Sequence, residues 1–585
     1  MPSFMPCLAL AALSALPVQD PPAEPAAPGS PTADVLGVAL LDHAALTERL
    51  RSLARESAVA TLVPVGSSRA GRAIEAVRLS GGDPEPGRPA VLLVAGLEAT
   101  RVFESGVALH HAEALARRYG RDGRVTELLD GTTVYVLPRA NPDGAEAYFS
   151  APRHGSPATG TDVDSDRDGR LGEDPPADVN GDGLVTQLRV VDPEGEWLPD
   201  PDDPRALALA DPLEGQRGIY RVYPEGRDAD GDGEVAEDPA RDAEFNANFP
   251  AGWPEHEPRA GRFPMDEPGV RALADFVIAR PELALVVTYG AQTNLVGKPA
   301  VARSGGGRVP EPGLIESDAE LLESIAETYR ELTGNESAES APGEGSFQRW
   351  SYEHRGLWTL DAVLWSMPTE APAPAPEEPE EPEEPEEPGE GREGGPPAAG
   401  RGGERSDDAG HLAWIDATGE SWRFVPWKPF RHPELGAVEI GGFAPHARVV
   451  PPESEWTPIA EGHLAFLLGL GELLPRVEIV AAEAEELGGG LLRLRAVIDN
   501  PAILPLPSAA ARRARTQRPA RVRLFGSGEG LIYAGQRQTL VSELAGSGGR
   551  RELVWLVTGG APGDFELRVD TDNAGRARRT FEVKR

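Results

Sequence analysis

The sequence predicts an α/β protein built on a layered sheet and followed by a small all-β domain. Short apolar runs at residues 89–96 and 132–138 are typical of buried strands. Residues 104–120, which lie between these runs, have the spacing of a helix. Strands that alternate with helices indicate a layered α/β sheet. The final segment, 476–585, shows only strand-like alternation between Gly, Asn and Asp turns, which predicts a β-sandwich.

The remaining regular elements follow the same logic along the chain. Residues 60–82 predict a hairpin, because apolar alternation flanks a Gly/Ser turn. Beyond residue 245, residues 269–280 and 318–334 have helical spacing, and the second of these stretches ends in Gly. The apolar run at 283–290 predicts a buried strand. A further strand is expected within residues 357–365, so the α/β pattern continues to that point.

Residues 155–245 interrupt the pattern, because Asp, Gly and Pro dominate and apolar periodicity almost vanishes. We expect an insertion without a hydrophobic core of its own. It repeats an Asp-x-Asp-x-Asp-Gly pattern three times, at Asp164, Asp166 and Asp168, at Asp178, Asn180 and Asp182, and at Asp228, Asp230 and Asp232. Alternate oxygens on a tight loop suit calcium. The loops lack the twelfth-position Glu of an EF-hand, so a solvated Asp/Gly loop is the alternative.

If calcium binds, neighbouring carboxylates must complete its coordination shell. The candidates are Glu173, Asp174, Glu237 and Asp238. A second insertion, residues 369–410, is rich in Pro and Glu and is predicted to be disordered, because its charges repel one another and it has little to bury. Globular sequence resumes after it. We therefore expect a surface excursion from one domain and not a boundary between two domains.

The N-terminus predicts export. Residues 1–18 resemble a signal peptide and residues 19–34 a disordered Pro-rich segment, although a disordered N-terminus alone is the alternative. Cys7 is the only cysteine, so disulfides are not expected in a mature chain. No later stretch reaches ~18 apolar residues, so no membrane span is predicted. A net charge of −38 argues against nucleic acid as a partner. The expected location is secreted or periplasmic.

Several motifs in the α/β part occur in a familiar order. They are Gly66, Ser68, Gly71 and Arg72, then residues 91–101, then Asn141 to Gly144, then residues 244–253 and 435–443. This order resembles the zinc carboxypeptidases of the carboxypeptidase A type, and in particular a large secreted bacterial branch, over roughly residues 35–475. The resemblance implies a three-layer α/β/α sandwich with a mixed, mainly parallel sheet. It also implies a zinc held by two His and one Glu, a second Glu as general base, and Arg residues for the substrate carboxylate.

The residues at the implied zinc positions are not zinc ligands of that set. Glu98 stands in place of the first His and Arg101 in place of the first Glu. The second His position is Gly290, or Thr288 under a shifted register. A guanidinium at residue 101 would place a fixed positive charge where a dication should sit. We therefore expect no zinc, and an ion pair between Arg101 and Glu98 in the old pocket.

The other implied catalytic positions are also changed. Val363 stands where the general-base Glu is expected. The pair that grips a substrate carboxylate appears as Asn246-Ala247, which leaves Asn246 as the substrate-binding candidate. Asp361, two residues before Val363, is the one carboxylate that could replace the base.

Histidines elsewhere do not restore a site. His110 and Glu113 reproduce a His-x-x-Glu spacing but are interpreted as ordinary residues of a helix. The remaining candidates, His354, His432 and His446, have no companion at metal-binding spacing.

Three functions remain open at this point. The favoured one is a secreted pseudopeptidase that binds or scaffolds a peptide or protein. The alternatives are an active zinc carboxypeptidase whose site lies elsewhere in the sequence, and another kind of hydrolase that uses Asp361 or the Glu98 region.

Overall fold

A computed structural model describes the chain over most of its length. The described residues are 37–82, 86–155, 174–228, 231, 235–236, 243–297, 301, 313–335, 343–372, 406–526 and 532–583. The predicted signal peptide, the Pro-rich segment 19–34 and most of the Pro/Glu insertion lie outside these ranges.

Six strands between residues 60 and 362 form a mixed sheet. Its strands are β1 (Ala60–Ser67), β2 (Ala73–Leu79), β3 (Ala90–Ala95), β4 (Thr133–Leu137), β9 (Leu283–Tyr289) and β10 (Trp358–Ala362). Their order is β1-β2-β4-β3-β9-β10. The β4-β3-β9-β10 part is parallel, whereas β1 and β2 pair antiparallel as the predicted hairpin. The prediction of an α/β fold with a mixed, mainly parallel sheet is confirmed.

Helices cover both faces of this sheet, which gives the three layers. The helices of the α/β part are α1 (His43–Glu56), α2 (Val102–Arg118), α3 (Gly123–Gly131), α4 (Pro142–Ala145), α5 (Pro268–Ile278), α6 (Glu316–Thr333), α7 (Phe347–Glu353), α8 (Asp407–Thr418) and α9 (Glu453–Leu473). One core packs α1, α2, α3, α6 and α9 against the sheet face that carries Leu93 and Val287. The other packs α5 and α7 against the face that carries Leu92 and Val286. Successive residues of a strand point to opposite faces, so runs of buried apolar residues feed both cores.

The carboxyl ends of three parallel strands meet at one edge of the sheet. β3, β9 and β10 end at Ala95, Tyr289 and Ala362, and the loops 96–101, 290–295 and 363–367 follow them. The Gly290 N–H donates to the Ala362 carbonyl at 3.0 Å, which fixes two of these loops against each other. In open α/β sheets this edge is the usual place for a ligand site.

A second six-stranded sheet was not predicted. It contains β5 (Gln187–Val191), β6 (Trp197–Pro199), β7 (Leu207–Leu209), β8 (Tyr220–Pro224), β11 (Phe424–His432) and β12 (Gly436–Phe443), in the order β11-β12-β5-β8-β6-β7. A small core that includes Leu188, Tyr223 and Ile440 lies against it. The expectation that residues 155–245 lack a core is therefore wrong. β5 to β8 have three to five residues each, too few to show periodicity, and β5 pairs with β12 far along the chain.

The C-terminal segment forms two packed antiparallel-rich sheets. Its strands are β13 (Glu478–Gly488), β14 (Leu491–Asn500), β15 (Ala520–Gly526), β16 (Ile532–Ala534), β17 (Gln538–Val541), β18 (Gly549–Thr558), β19 (Phe565–Asp570), β20 (Arg576–Thr580) and β21 (Glu582–Val583). The sheets run β16-β18-β14-β13-β21 and β17-β15-β19-β20 around a shared core with Trp555 at its centre. The predicted all-β sandwich is present.

The expectation that this segment holds strands alone is wrong, because it contains α10 (Ala509–Ala514). Ser508 caps this helix by accepting from Ala511 N, and Asp318 of α6 accepts from Ala509 N and Ala510 N. A helix of six residues is stabilised by such caps more than by its own sequence pattern, so periodicity does not reveal it.

The sandwich contacts the amino-terminal edge of the first sheet. Asn573 Nδ2 donates to the carbonyl of Leu283, the first residue of β9, and Gly575 N donates to Gly87 O shortly before β3. Ser508 Oγ donates to Gly356 O.

Two further points concern boundaries and membranes. Helix α8 already begins at Asp407 with Ser406 as its cap, so the predicted end of the disordered insertion at residue 410 is too late. Of the helices in the described ranges, none combines the length and the apolarity that a bilayer crossing requires.

Candidate functional site

Glu98 lies at the carboxyl edge of the sheet, in the loop between β3 and α2. The side chain is half-buried. Its Oε1 accepts from Asn246 Nδ2 at 2.7 Å, and its Oε2 accepts from Ala291 N at 3.3 Å. Burial raises the pKa of Glu98, while the bond from Asn246 and the charge of Arg101 act in the opposite direction.

Gly290 is directly opposite Glu98. A Cβ added to Gly290 would lie 2.5 Å from Glu98 Oε2. Thr288, the alternative position for the second His, instead donates from Oγ1 to Asp361 Oδ1 at 2.8 Å. Of the two candidate positions, Gly290 is the one whose missing side chain would meet Glu98.

Arg101 does not pair with Glu98 as expected. Its Nη1 donates to Glu104 Oε1 at 3.2 Å and to Trp365 O at 2.8 Å. Glu104 lies in the first turn of α2, three residues after Arg101, and residues at this spacing are neighbours on a helix. Burial raises the pKa of Glu104 to about 7 although Arg101 lowers it. Glu104 Oε2 has no hydrogen-bond partner within the described ranges.

A continuous chain of polar side chains runs from Glu98 under the sheet edge. We call it the polar chain, and its members are Glu98, Asn246, Gln348, Thr288, Asp361 and Asn294. Asn246 Nδ2 donates to both Glu98 Oε1 and Gln348 Oε1, the latter at 3.0 Å, and Asn246 Oδ1 accepts from Phe347 N. Gln348 Nε2 contacts Thr288 Oγ1 at 3.4 Å, and Thr288 leads to Asp361. These bonds tie α7 to β9 and β10.

Asp361 forms the deep end of the polar chain. It is 1% exposed, with Thr288 on Oδ1 and Asn294 Nδ2 on Oδ2 at 3.1 Å. Its backbone N–H and carbonyl are also bonded to Asn294. Burial raises the pKa of Asp361 to about 7, with a further contribution from the charge of Glu98. Both carboxyl oxygens are thus engaged inside the protein.

The remaining predicted positions carry no polar side chain toward Glu98. Ala247 and Val363 are buried, and the carbonyl of Val363 accepts from Asn335 Nδ2. Asn246, the predicted substrate-binding residue, is engaged in the polar chain. Sequence reasoning missed Gln348 and Asn294, because neither belongs to a motif and each acts only through its contacts in the folded chain.

The histidine candidates serve packing. His110 Nε2 lies 3.5 Å from Glu461 Oε1, while Glu113 accepts both hydrogen bonds from Arg49 of α1. These contacts hold α2 against α9 and α1. They agree with the interpretation of His110 and Glu113 as ordinary residues of a helix. His432 contacts Gly226 O, and His446 contacts Thr100 O and His154 O.

The polar groups around Glu98 differ from the zinc ligands that the resemblance implies. They comprise the carboxyls of Glu98, Glu104 and Asp361 and the guanidinium of Arg101, and the loops 96–101 and 290–295 contain no His. Zinc in proteins is held in tetrahedral geometry chiefly by imidazole and thiolate, with carboxylate as a minor ligand. Within the described ranges no three or more His, Cys, Asp or Glu side chains are grouped to hold a metal. The residues present at these positions do not fit the zinc centre that the resemblance implies.

The aspartate-rich loops are described only in part. Asp164, Asp166, Asp168, Asp230 and Asp232 lie outside the described residues, as do Glu173, Glu237 and Asp238. In the second loop Asp178 accepts from Gly181 N and Gly183 N, Asn180 Oδ1 accepts from Asp182 N, and Asp182 Oδ1 accepts from Leu184 N. Asp228 Oδ1 accepts from Gly231 N at 2.6 Å. The described part adds no support for calcium, which stays a prediction.

A three-layer α/β/α sandwich with a polar site at the carboxyl edge of its parallel strands is an architecture that suits a hydrolase or a binding protein for extended ligands. The family model for zinc carboxypeptidases matches residues 46–369, more than half of the chain, and the chain therefore belongs to that family. Residues 476–582 match a domain family of unknown function.

Individual relatives match over short stretches. Carboxypeptidase D of Mus musculus is 36% identical over 122 residues, which is 18% of this chain and 9% of the relative. Carboxypeptidase A2 of Mus musculus is 36% identical over 93 residues, which is 16% of this chain and 21% of the relative. The chain thus spans less than a quarter of the length of either relative.

Two solved structures are similar to the chain at low sequence identity. Bovine thrombin-activatable fibrinolysis inhibitor, in complex with tick carboxypeptidase inhibitor, matches at 11% identity with a TM-score of 0.36, over 74% of this chain and 96% of that one. Carboxypeptidase A from Helicoverpa armigera matches at 14% identity with a TM-score of 0.34, over 56% and 65% of the two chains.

Proposed function

We propose that this family member is catalytically inactive and binds a peptide or protein segment at the carboxyl edge of its sheet. We call the surface formed there by the loops 96–101, 290–295 and 363–367 the groove. The observation that carries the proposal is the polar chain. Where a metallopeptidase needs free ligands and a free base, Glu98 and Asp361 are held by amide and hydroxyl partners within the protein.

Releasing these groups for catalysis would be costly. Asp361 is nearly fully buried, and an unpaired buried polar group costs roughly 1–3 kcal/mol, or more when it is charged. Arg101 adds a second obstacle. Its guanidinium is fixed beside the loop by Glu104 and Trp365, and a positive charge there repels a metal cation.

The groove retains groups that could hold a peptide backbone. Gln292 follows Ala291 in the loop beside Glu98, is 9% exposed, and its Oε1 has no partner within the described ranges. Rotation of the Gln292 side chain would turn this buried oxygen toward a peptide N–H, which can donate to it. Peptide ligands of grooves are held largely by such main-chain bonds.

Two wider features belong to the same proposal. The apolar leader at residues 1–18 supports a secreted or periplasmic location. The repeated Asp/Gly loops support calcium as a structural ion, which an exported protein meets at millimolar concentration.

The test compares activity and metal content on the purified full chain. We expect no release of C-terminal residues from peptides that end in apolar, basic or acidic residues, with or without a chelator, and less than one zinc per chain. Chelator-sensitive release together with one zinc per chain would overturn the proposal. If Arg101→Ala left such a rate unchanged, the active site would lie outside the groove described above.

A variant in which the zinc ligands, the general base and the carboxylate-binding Arg are restored provides the positive control. The combined variant Glu98→His, Arg101→Glu, Gly290→His, Val363→Glu and Ala247→Arg should gain zinc affinity, whereas Arg101→Glu alone should gain none, because one ligand cannot hold the metal.

Binding is tested separately with fluorescent peptides. Gln292→Ala should weaken binding several-fold. Gln216→Ala, at an exposed position in the loop before β8 of the second sheet, should not. Equal affinity for both variants would argue against the groove as the binding surface.

A further inference from the structure

Four arginines of the described chain are buried, and one of them differs from the other three. Arg101, Arg189 and Arg423 each form an ion pair, with Glu104, Glu439 and Glu420 respectively. Arg139, in the turn between β4 and α4, is 2% exposed and makes no ion pair within the described ranges. A buried charge is normally paired, because removing it from water is expensive.

The hydrogen bonds of Arg139 leave most of its donors unused. Nη2 donates to Leu41 O at 2.8 Å, while Nε and Nη1 are buried and have no partner within the described ranges. The ring of Phe149 lies 5.6 Å from the guanidinium carbon. Burial lowers the pKa of Arg139 to about 10, against the opposing charges of Glu146 and Asp42. The guanidinium therefore keeps its charge at neutral pH.

The nearby carboxylates are occupied elsewhere. Glu146 Oε1 accepts from His43 N at 2.8 Å, and Asp42 Oδ1 accepts from Ala45 N as the cap of α1. Neither comes within ion-pair distance of Arg139. His43 adds no positive charge at neutral pH, because burial and the charge of Arg139 lower its pKa.

Two further unpaired donors lie beside Arg139 around Gly96. Gly96 has φ of +64°, and a Cβ added to it would lie 2.8 Å from Ser105 Oγ and 3.1 Å from Arg139 Cα. Asn141 N donates to Gly96 O at 2.8 Å. Ser105 Oγ and Asn141 Nδ2 are both buried without a partner in the described chain, and Asn141 Oδ1 is already used by Gly144 N.

We propose that Arg139, Asn141 and Ser105 form a buried binding site for a small monovalent anion, with chloride or a formate-sized carboxylate as the ligand. The three residues that contact Gly96 carry an unpaired guanidinium, amide NH₂ and hydroxyl, and each of these groups can donate to an acceptor that the described chain does not provide. All three residues are buried, which restricts the ligand to a few atoms. A dianion such as phosphate would bring two charges to one guanidinium near Asp42 and Glu146.

This site is distinct from the polar chain and does not depend on the proposed function. It would act on the groove indirectly, since Gly96 begins the loop that carries Glu98. An anion bound to Arg139 and Ser105 joins the turn after β4 to the first turn of α2, and so stiffens the loop from both sides.

The experiment measures thermal unfolding of the full chain at pH 8 and constant ionic strength. Sodium gluconate, too large for the site, is replaced stepwise by chloride or by formate. Ligand binding to the native state raises the midpoint with the logarithm of ligand concentration. We expect the midpoint to rise by about 2 °C or more in chloride or formate, which is the shift typical of roughly 1 kcal/mol for a large domain. An equal midpoint in all three salts would overturn the proposal.

Substitutions at the site test whether the anion dependence of the unfolding midpoint comes from Arg139. Arg139→Met should abolish the anion dependence, while Arg189→Met, which also removes a buried charge, should keep it. Ser105→Ala is the milder variant if Arg139→Met fails to fold, and it should weaken the anion dependence several-fold. Crystals grown in bromide give the direct test. Anomalous density beside Arg139 Nη1 is expected, and ordered water alone at that position would refute the site.

Discussion

Substitution of Gly290 by alanine tests whether the two groove loops face each other as described. A methyl group at Gly290 would lie 2.5 Å from Glu98 Oε2 and 3.3 Å from Glu98 Cδ. The carboxylate must then swing away and lose its bonds from Asn246 and Ala291. Hydrogen bonds to charged groups contribute roughly 1.5–3 kcal/mol, and the Ala291 bond is long. We expect Gly290→Ala to destabilise the protein by about 2 kcal/mol.

The effect of Gly290→Ala on stability should change from destabilising to stabilising once Glu98 is truncated. In the Glu98→Ala background nothing obstructs the methyl group. The backbone of Gly290 is not in the left-handed region. A Gly→Ala change at such a site restricts the unfolded chain and stabilises by about 0.4–1 kcal/mol. The double-mutant cycle should therefore give an interaction energy of about 2.5 kcal/mol.

Urea unfolding followed by tryptophan fluorescence measures each free energy. Gly123→Ala serves as the control, because a Cβ there meets nothing within 4 Å, and its effect should be the same in both backgrounds. If Gly290→Ala costs the same with and without Glu98, the two loops do not meet as described. The geometric basis for rebuilding a zinc site would then be lost.

Three further outcomes are expected. The pKa of Asp361 in the folded protein is raised to about 7. The contribution of this carboxyl to the free energy of unfolding is therefore present below about pH 4 and lost as pH rises to 7. Asp361→Asn should flatten that decline in urea-unfolding titrations, and an unchanged pH profile would contradict the assignment. Chelation of calcium should make residues 160–240 more sensitive to limited proteolysis than the rest, since removing a native-state ligand removes its stabilisation; identical digests would rule calcium out. Deleting residues 373–405 should leave the melting temperature nearly unchanged, and loss of folding would show that the segment belongs to a core.

The strands of the first sheet could be predicted because burial on both faces imposes continuous apolar runs. β3 and β9 are buried at every position, and such a run is visible without knowledge of the partners. The second sheet could not be predicted in this way. β6 and β7 have three residues each and pair with each other and with β8, while β5 of the same sheet pairs with β12 far along the chain.

The residues of the candidate site were likewise predictable only in part from the sequence. Position in a motif identified Glu98, Arg101, Gly290 and Asn246, and the structure brings Glu98, Gly290 and Asn246 together. The predicted partner of Arg101 was wrong, because Glu98 and Glu104 are each three residues from Arg101 in the sequence and only the direction of α2 decides between them. Gln348 has no signal in the sequence. Its role depends on α7 lying over the end of β9, which is a property of the folded chain.

The attachment of the C-terminal sandwich gives the molecule two opposite poles. Asn573 and Gly575 hold the sandwich at the start of β9 and β3, whereas the groove lies where these strands finish. Strands of six and seven residues separate the two by about 20 Å. A surface gripped by the sandwich and a peptide seated in the groove would therefore not compete for space. If the proposed function holds, a second ligand on the sandwich would make the chain bivalent, with an avidity that depends on both ends.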